Sequence, residues 1–167
     1  MSSSDLGPGR LSSGDRMSPG TLWTVGVPAT TANLGPGFDC LGLTLDLWNE
    51  ATFALGARAG VTVTIEGEGA ERLPRSAENL VVRAFVRLCD EVGAPPPSGL
   101  DVACRVGVPL ASGLGSSASA VVAGLLGANE LLGRPAPPET VLRLATELEG
   151  HPDNVAAALH GEIPPGD

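Results

Sequence analysis

The sequence predicts one α+β domain built around a glycine-rich loop. Three observations support this fold class. Four segments alternate apolar and polar residues as strands do, three repeat apolar residues at helical spacing, and the loop PLASGLGSSA (109–118) joins one of those strands to one of those helices. A chain of 167 residues has room for one domain with a substantial core, and a second complete domain is not expected.

Four β-rich segments are the predicted strands, and they lie at 21–27, 43–55, 61–66 and 100–106. The first reaches Pro28, and ATTANLGPGFDC (29–40) after it is predicted to be a polar loop punctuated by glycine and proline. The second and third strands are expected to be joined by a glycine-containing turn at 56–60. Long ordered loops inside compact domains are often functional, so the 29–40 loop is a candidate site.

Three amphipathic helices are predicted, and they lie at 79–93, 118–132 and 138–149. Asn79 suits the N-cap of the first helix and Gly93 its end. Gly133 is expected at the C-cap of the second. Pro138 is favourable in the first turn of the third, and Gly150 is expected to end it.

The basic residues exclude several kinds of phosphate chemistry. All ten Lys and Arg residues are arginines, so the chain has no lysine. A Walker A loop, the strand lysine of protein kinases, Schiff-base chemistry and a lysine general base each need an ammonium group and are excluded. The net charge of −9, with no arginine-rich stripe, argues against a nucleic-acid partner.

Composition also bears on the compartment. No apolar run reaches the ~18 residues that a membrane span needs, so no membrane partner is predicted. Cys40, Cys89 and Cys104 form no CxxC pair and cannot all pair with one another, which favours a cytoplasmic setting in which they pack as small apolar residues. Residues 1–20 lack the apolar centre of a signal peptide and are predicted to be a disordered tail, with Met17 as an alternative start.

The glycine-rich loop is the strongest functional candidate. Gly113 and Gly115 permit positive φ and carry no Cβ, so consecutive backbone N–H groups can point into one concavity. Ser116 and Ser117 begin the next helix, where unpaired N–H groups and the helix dipole favour an anion. Without lysine, these groups, hydroxyls and a divalent cation would have to neutralise a bound triphosphate. The alternative is a loop that only caps a buried helix, and the strand–loop–helix context favours phosphate.

The same segment carries a family resemblance. PLASGLGSSA resembles the central phosphate-binding motif of the GHMP kinases, and PATTANLGPGFDCLGLTLDL (28–47) and EGHPDNVAAAL (149–159) are similar to motifs of the homoserine kinases in that family. The resemblance covers 21–160, roughly the N-terminal half of such an enzyme. It implies a GHMP kinase N-terminal, ATP-binding domain with a left-handed βαβ unit at 21–160, a C-terminal domain that is largely absent, and a truncated end at 161–167.

The resemblance implies ATP and Mg²⁺ as cofactors. Ser117, or Ser116, is the candidate hydroxyl ligand of the metal, and Glu147 is the candidate carboxylate with Glu149 as its competitor. Either glutamate could equally be a solvated charge at the end of a helix. The nucleotide is expected to contact Pro109, Leu110, Ala111, Ser112, Gly113, Leu114, Gly115, Ser116, Ser117, Ala118 and Ser119.

L-Homoserine is the substrate that the resemblance implies. Asn33 and Asp39 correspond to amino-acid contacts, since Asp39 can accept from the ammonium group and an amide offers both acceptor and donors. His151 and Asn154 are placed near the reacting hydroxyl. An amide cannot take up the proton, so Asn154, with His151 and Ser117, is expected to act by positioning. Alternatively, Asn33 shapes a turn, Asp39 has only a capping role and His151 is a surface or helix-end residue.

The implied reaction moves the γ-phosphoryl group of ATP to the homoserine oxygen. It gives O-phospho-L-homoserine and ADP and belongs to threonine biosynthesis. The expected partner is this small molecule, with a homodimer left open. Another GHMP small-molecule kinase is one alternative, and a truncated, non-catalytic nucleotide-binding fragment is another, favoured by the missing C-terminal half. Asp153 is expected only to cap a helix over 155–159.

Overall fold

A computed structural model describes residues 21–32 and 42–160, and in these residues four strands form a sheet accompanied by four helices. The predicted tail at 1–20 and the predicted end at 161–167 lie outside the described residues, as do positions 33–40 of the predicted polar loop and residue 41. The elements are β1 (Leu22–Ala32), β2 (Gly42–Leu55), β3 (Gly60–Gly67), α1 (Leu80–Glu91), β4 (Gly99–Val106), α2 (Ser116–Leu131), α3 (Pro138–Glu149) and α4 (Asp153–His160), with a short 3-10 turn at Ala70–Arg72.

The sheet has the strand order β1-β2-β4-β3. β1 pairs antiparallel with β2, β2 pairs antiparallel with β4, and β4 pairs parallel with β3. The predicted turn at 56–60 does connect β2 to β3, but β4 lies between those two strands. Because β3 and β4 are parallel and joined through α1, they form a βαβ unit, as the family resemblance implies. The left hand of that unit stays a prediction.

β1 extends beyond its predicted end at residue 27. It continues through Pro28 to Ala32, so the prediction of a loop beginning at residue 29 is wrong for 29–32. The register shifts between Pro28, which lies opposite Trp48, and the next residue, and β1 is an edge strand. A bulge on an edge strand tolerates proline, which has no N–H to donate. The extension carries Thr30 to the glycine-rich loop, where its N–H donates to the carbonyl oxygen of Leu114 at 3.0 Å.

Helix ends follow local signals in the chain. Asn79 caps α1 as predicted, because its side chain accepts from the N–H of Val81 at 2.9 Å. α2 begins at Ser116, two positions before the predicted residue 118. Gly150 ends α3 with a φ of +87°. α4 begins at Asp153, so this residue lies in the first helical turn instead of capping the helix from outside.

The core lies between one face of the sheet and helices α1 and α2. α2 is the central element, because it packs against β1, β2 and the three other helices. Glycine allows this close packing: a Cβ at Gly124 would lie 2.2 Å from the carbonyl oxygen of Val81, and one at Gly127 would lie 2.4 Å from the ring of Phe53. The mixed sheet with helices confirms the predicted α+β class.

Two cysteines lie in this core. Cys89 and Cys104 are buried, as predicted for small apolar residues, and burial raises the pKa of each thiol to about 11. Cys40 lies outside the described residues. In the part of the chain that the structure describes, no helix combines the length and apolarity needed to cross a membrane.

Candidate functional site

The glycine loop, defined here as residues 107–115, turns at three residues with positive φ. These are Ala111 at 56°, Gly113 at 77° and Gly115 at 68°. Gly115 is the most constrained, because a Cβ there would lie 2.2 Å from Oγ1 of Thr30. Glycine is therefore required at 115 both for the backbone conformation and for the close approach of β1.

The first turn of α2 carries no side-chain cap. Its N-cap is Gly115, and the two serines that follow direct their hydroxyls elsewhere. Ser116 Oγ donates to the carbonyl oxygen of Val108 at 3.2 Å, and Ser117 Oγ donates to Oε1 of Glu149 at 2.5 Å. The first N–H groups of a helix have no intrahelical acceptors, and the dipole adds partial positive charge. This end of α2 is therefore suited to an anion held by backbone donors.

Asn49, on β2, connects the beginning of the glycine loop to the start of α2. Its Oδ1 accepts from the N–H groups of Gly107 and Val108, each at 3.0 Å. Its Nδ2 donates to Ser119 Oγ at 2.6 Å and lies 3.4 Å from Ser116 Oγ. Only 7% of the residue is exposed. One buried amide thus binds groups on both sides of the loop.

Asn49 is not among the site residues predicted from the sequence. It lies on the same face of β2 as Ala51 and Phe53, which are in the core. An amide on that face must find hydrogen-bond partners, because burying it unpaired is costly. The inward-facing polar position is a signal that the sequence contains, but the identity of the partners comes only from the structure.

Two predicted nucleotide contacts, Ala118 and Ser119, are buried instead of lining the surface of the loop. The hydroxyl of Ser119 accepts from Asn49 and donates to the carbonyl oxygen of Ser116 at 2.9 Å. Its backbone N–H donates to the carbonyl oxygen of Gly115 at 2.9 Å. Because these polar groups are already paired inside the protein, Ser119 supports the loop and is not placed to contact a ligand.

The other predicted loop contacts lie nearer to solvent. Ala111, Ser112, Gly113 and Ser117 are exposed. The half-buried ones are Pro109, Leu110, Leu114, Gly115 and Ser116. These residues are therefore accessible to a ligand, and their contact with phosphate stays a prediction.

A cavity of about 280 Å³ adjoins the glycine loop. It lies between the first turns of α1 and α2 and the inner face of β4, and two residues of the glycine loop, Leu110 and Ala111, line it together with Ser116 and Ser117. Much of its wall is apolar, with Leu73, Leu80 and Val106 among the lining residues. A largely apolar cavity beside an anion site suits a ligand that joins a flat ring to a charged tail.

The two candidate carboxylates differ in their surroundings. Glu149 is half-buried and accepts from Ser117 Oγ. Glu147 is exposed and forms ion pairs with Arg143 at 2.6 Å and Arg87 at 3.2 Å. The hydrogen bond from Arg143 lowers the pKa of the Glu147 carboxyl. Side chains two positions apart on a helix point about 200° apart, so the structure pairs Ser117 with Glu149 and not with Glu147, the predicted ligand.

Ser117 and Glu149 form an oxygen pair of the kind that Mg²⁺ prefers. Among the described residues, no group of three or more His, Cys, Asp or Glu side chains could hold a metal ion by itself. Mg²⁺ usually keeps waters and binds through one or two protein oxygens together with substrate phosphates. The pair fits that mode, in which the remaining ligands come from the nucleotide.

The predicted substrate-side residues are only partly described. Asn33 and Asp39 lie outside the described residues. Asn154 is in the first turn of α4, and its Oδ1 accepts from Thr30 Oγ1 at 3.1 Å. Thr30 is fully buried and also contacts the glycine loop, so it brings Asn154 to the loop. His151 lies exposed in the turn between α3 and α4.

The chain is similar to a known family of proteins. The family model "GHMP kinases N terminal domain" matches residues 79–162. The homoserine kinase of Trichodesmium erythraeum is 51% identical over 139 residues, which cover 83% of this chain and 45% of that protein. The chain spans about half the length of the curated relatives it matches.

Solved structures share the fold. The crystal structure of homoserine kinase from Cytophaga hutchinsonii matches with a TM-score of 0.73 and 36% identity, covering 86% of this chain and 48% of that chain. The crystal structure of Methanococcus jannaschii mevalonate kinase matches with a TM-score of 0.68 and 13% identity, covering 83% of this chain and 51% of that chain. At that low identity the second match supports the fold alone.

Proposed function

The chain belongs to the GHMP kinase family, and from this premise we propose that it is the nucleotide-binding part of a homoserine kinase. The reaction moves the γ-phosphoryl group of ATP to the hydroxyl of L-homoserine and gives O-phospho-L-homoserine and ADP, a step of threonine biosynthesis in the cytoplasm. The observation that carries the proposal is the uncapped first turn of α2, which adjoins the cavity and is linked to Asn154 through Thr30.

The nucleotide spans the glycine loop and the adjoining cavity. Backbone N–H groups at the start of α2 bind the phosphates, and the base occupies the apolar cavity behind Ser116 and Ser117. A chain without lysine and with a net charge of −9 has few cations to offer a triphosphate. Directed backbone donors and a metal therefore carry most of the charge compensation.

Ser117 and Glu149 hold the Mg²⁺ that accompanies ATP. Their oxygens are already 2.5 Å apart, and both face the start of α2. When bound, Mg²⁺ neutralises charge that develops on the phosphate oxygens during transfer. Glu149 takes this role in preference to Glu147, because arginines already occupy the carboxylate of Glu147.

Asn154 orients the hydroxyl that receives the phosphoryl group. The Thr30 hydroxyl donates to Oδ1 of Asn154, which leaves the NH₂ group of the amide to donate to a substrate oxygen. Phosphoryl transfer through a loose transition state depends on positioning more than on a strong base. His151, Asn33 and Asp39 complete the homoserine site in this proposal, with Asp39 accepting from the ammonium group.

A coupled ADP-release assay tests the proposed reaction. In the presence of Mg-ATP, the protein should form ADP when homoserine is added, and it should form none when mevalonate or galactose is added instead. Release with one of the other two substrates instead would assign a different GHMP kinase activity.

A second candidate function is nucleotide binding without turnover. The coverage favours it, since the chain spans about half the length of its homoserine kinase relatives. Calorimetric binding of Mg-ATP without homoserine-dependent ADP release would support this function. The absence of any Mg-ATP binding would refute both.

A further inference from the structure

Asn49 is separate in sequence from every part of the glycine loop, yet it binds both of its ends. It lies 58 and 59 positions before Gly107 and Val108, and it accepts hydrogen bonds from their N–H groups. It lies 70 positions before Ser119 and donates a hydrogen bond to the hydroxyl of that residue. It is held on the core face of β2 with 7% of its surface exposed. Its partners are therefore built into the fold and are not an incidental surface contact.

The carboxamide acts as a rigid spacer. The oxygen of Asn49 faces the residues that enter the loop, and its nitrogen faces the residues that leave it. The amide is planar, so its two polar atoms have a constant separation and opposite hydrogen-bonding character. An alkyl side chain of the same volume could not hold both ends in this way.

Loop geometry matters more in this chain than in one with a phosphate-binding lysine. A flexible ammonium group can follow a displaced phosphate, but backbone N–H groups bind only when they point at it. The chain has no lysine to compensate for a misplaced loop. Displacements of about 0.5 Å are enough to weaken a preorganised site.

We propose that Asn49 is the positioning residue of the phosphate site: it sets the distance between the entry of the glycine loop and the start of α2, so that the loop N–H groups converge on phosphate. Asn49 acts through the loop and does not bind the phosphate itself. The inference rests on the proposed function, in which this loop binds the nucleotide phosphates.

The test compares three ligands by calorimetry on the full 167-residue chain. Mg-ATP and inorganic tripolyphosphate with Mg²⁺ report on the phosphate site, and adenosine reports on the cavity. Asn49→Ala should weaken the binding of both phosphate ligands by about tenfold or more, the effect of disrupting a buried hydrogen-bond network. Asn49 also lines the cavity, so the affinity for adenosine should fall as well, but by a smaller factor. General destabilisation would not separate the ligands in this way.

Asn129 provides the matched control. It is also a buried asparagine, 8% exposed, and it exchanges two hydrogen bonds with the backbone of Ala136, each 3.0 Å long, near the opposite end of α2. Asn129→Ala should lower the thermal unfolding midpoint and leave all three affinities unchanged. If it weakened tripolyphosphate binding as much as Asn49→Ala does, the effect would come from instability and the proposal would be wrong.

Asn49→Leu covers the case in which the alanine variant does not fold. Leucine has nearly the shape of asparagine and fills the buried position, but it offers neither an acceptor to Gly107 and Val108 nor a donor to Ser119, so the phosphate ligands should again bind about tenfold more weakly. Wild-type tripolyphosphate affinity in either folded Asn49 variant would overturn this inference alone. If the wild-type chain bound none of the three ligands, both the proposed function and this inference would be wrong.

Discussion

Helices α1 and α2 begin beside the same cavity, but their first turns are completed differently. Asn79 caps α1 with its own side chain, which accepts from the Val81 N–H, and its amide group donates to the carbonyl oxygen of Pro74 at 2.8 Å. α2 follows Gly115, which has no side chain, and its first two serines donate to Val108 and Glu149. The first turn of α1 is capped by its own N-cap side chain, whereas the first turn of α2 has no side-chain cap among the described residues.

This difference separates a structural helix end from a ligand-binding one. A helix that needs only to be stable takes a capping side chain, which contributes about 1 kcal/mol. α2 lacks that contribution and instead is held by distant residues, namely Thr30 and Asn49. The lower local satisfaction of α2 is what allows its N–H groups to bind phosphate in the proposed function.

Among the substitutions considered, replacement of Gly115 should have the largest effect on stability and on Mg-ATP affinity. Gly115→Ala combines a left-handed φ of +68° with a Cβ 2.2 Å from Thr30 Oγ1, so the free energy of unfolding should fall by about 3 kcal/mol. Affinity for Mg-ATP should fall at least about tenfold, because the start of α2 must shift. Chemical denaturation and calorimetry measure the two effects.

Gly113→Ala is the matched control for this substitution. Gly113 also has a positive φ, of +77°, but a Cβ there would meet no atom within 4 Å in the part of the chain that the structure describes, its chain neighbours aside. Only the conformational cost of about 1 kcal/mol should remain. If the free energy of unfolding fell equally in Gly113→Ala and Gly115→Ala, contact with Thr30 would not constrain the loop.

The next effect concerns the carboxylate beside α2. Glu149→Gln should reduce the Mg²⁺-dependent part of ATP affinity by about tenfold or more, since changes even to the outer partners of metal ligands have effects of that size. ATP titrations with and without Mg²⁺ measure it. Glu147→Gln, two residues away but paired with Arg87 and Arg143, should leave the Mg²⁺ dependence unchanged. If instead Glu147→Gln reduced the Mg²⁺ dependence and Glu149→Gln did not, Glu147 would be the metal ligand.

Removing the cap of α1 should have a smaller and different effect. Asn79→Ala should lower the free energy of unfolding by about 1 kcal/mol, because the Val81 N–H loses its acceptor. Affinities for adenosine and Mg-ATP should change by the same factor, since the phosphate site is untouched. A selective loss of Mg-ATP binding, measured by calorimetry, would contradict the division between the two helix starts.

The smallest effect is a pH dependence of the contact between α1 and α3. Hydrogen bonds from Arg87 and Arg143 lower the pKa values of Glu91 and Glu147, respectively. Carboxyls with depressed pKa values stabilise the folded state above the usual glutamate pKa, and this contribution is lost as the pH falls through the depressed values. Unfolding midpoints should therefore decline over that acidic range, and less steeply in Glu91→Gln. Parallel pH profiles would show that these pairs contribute nothing.

Much of the fold could be predicted because its signals are local. The Asn79 cap, the helix end at Gly150 and the turning role of Gly115 each depend on φ or on a hydrogen bond within a few residues. The α+β class follows from the two hydrophobic periodicities. The placement of β4 between β2 and β3 could not be predicted, since strand pairing depends on partners far along the chain.

The sequence by itself determined where α1 and α3 begin. It also determined that a glycine loop in a chain without lysine must bind phosphate, if at all, through backbone donors and a metal. Only the tertiary structure decided which residues support that loop. Asn49 and Ser119 are 70 positions apart, and Thr30 and Asn154 are 124 apart. The pairing of Ser117 with Glu149 was decided in the same way. The partner of a side chain depends on which atoms the folded chain brings within hydrogen-bond distance, and that distance cannot be predicted from the local sequence.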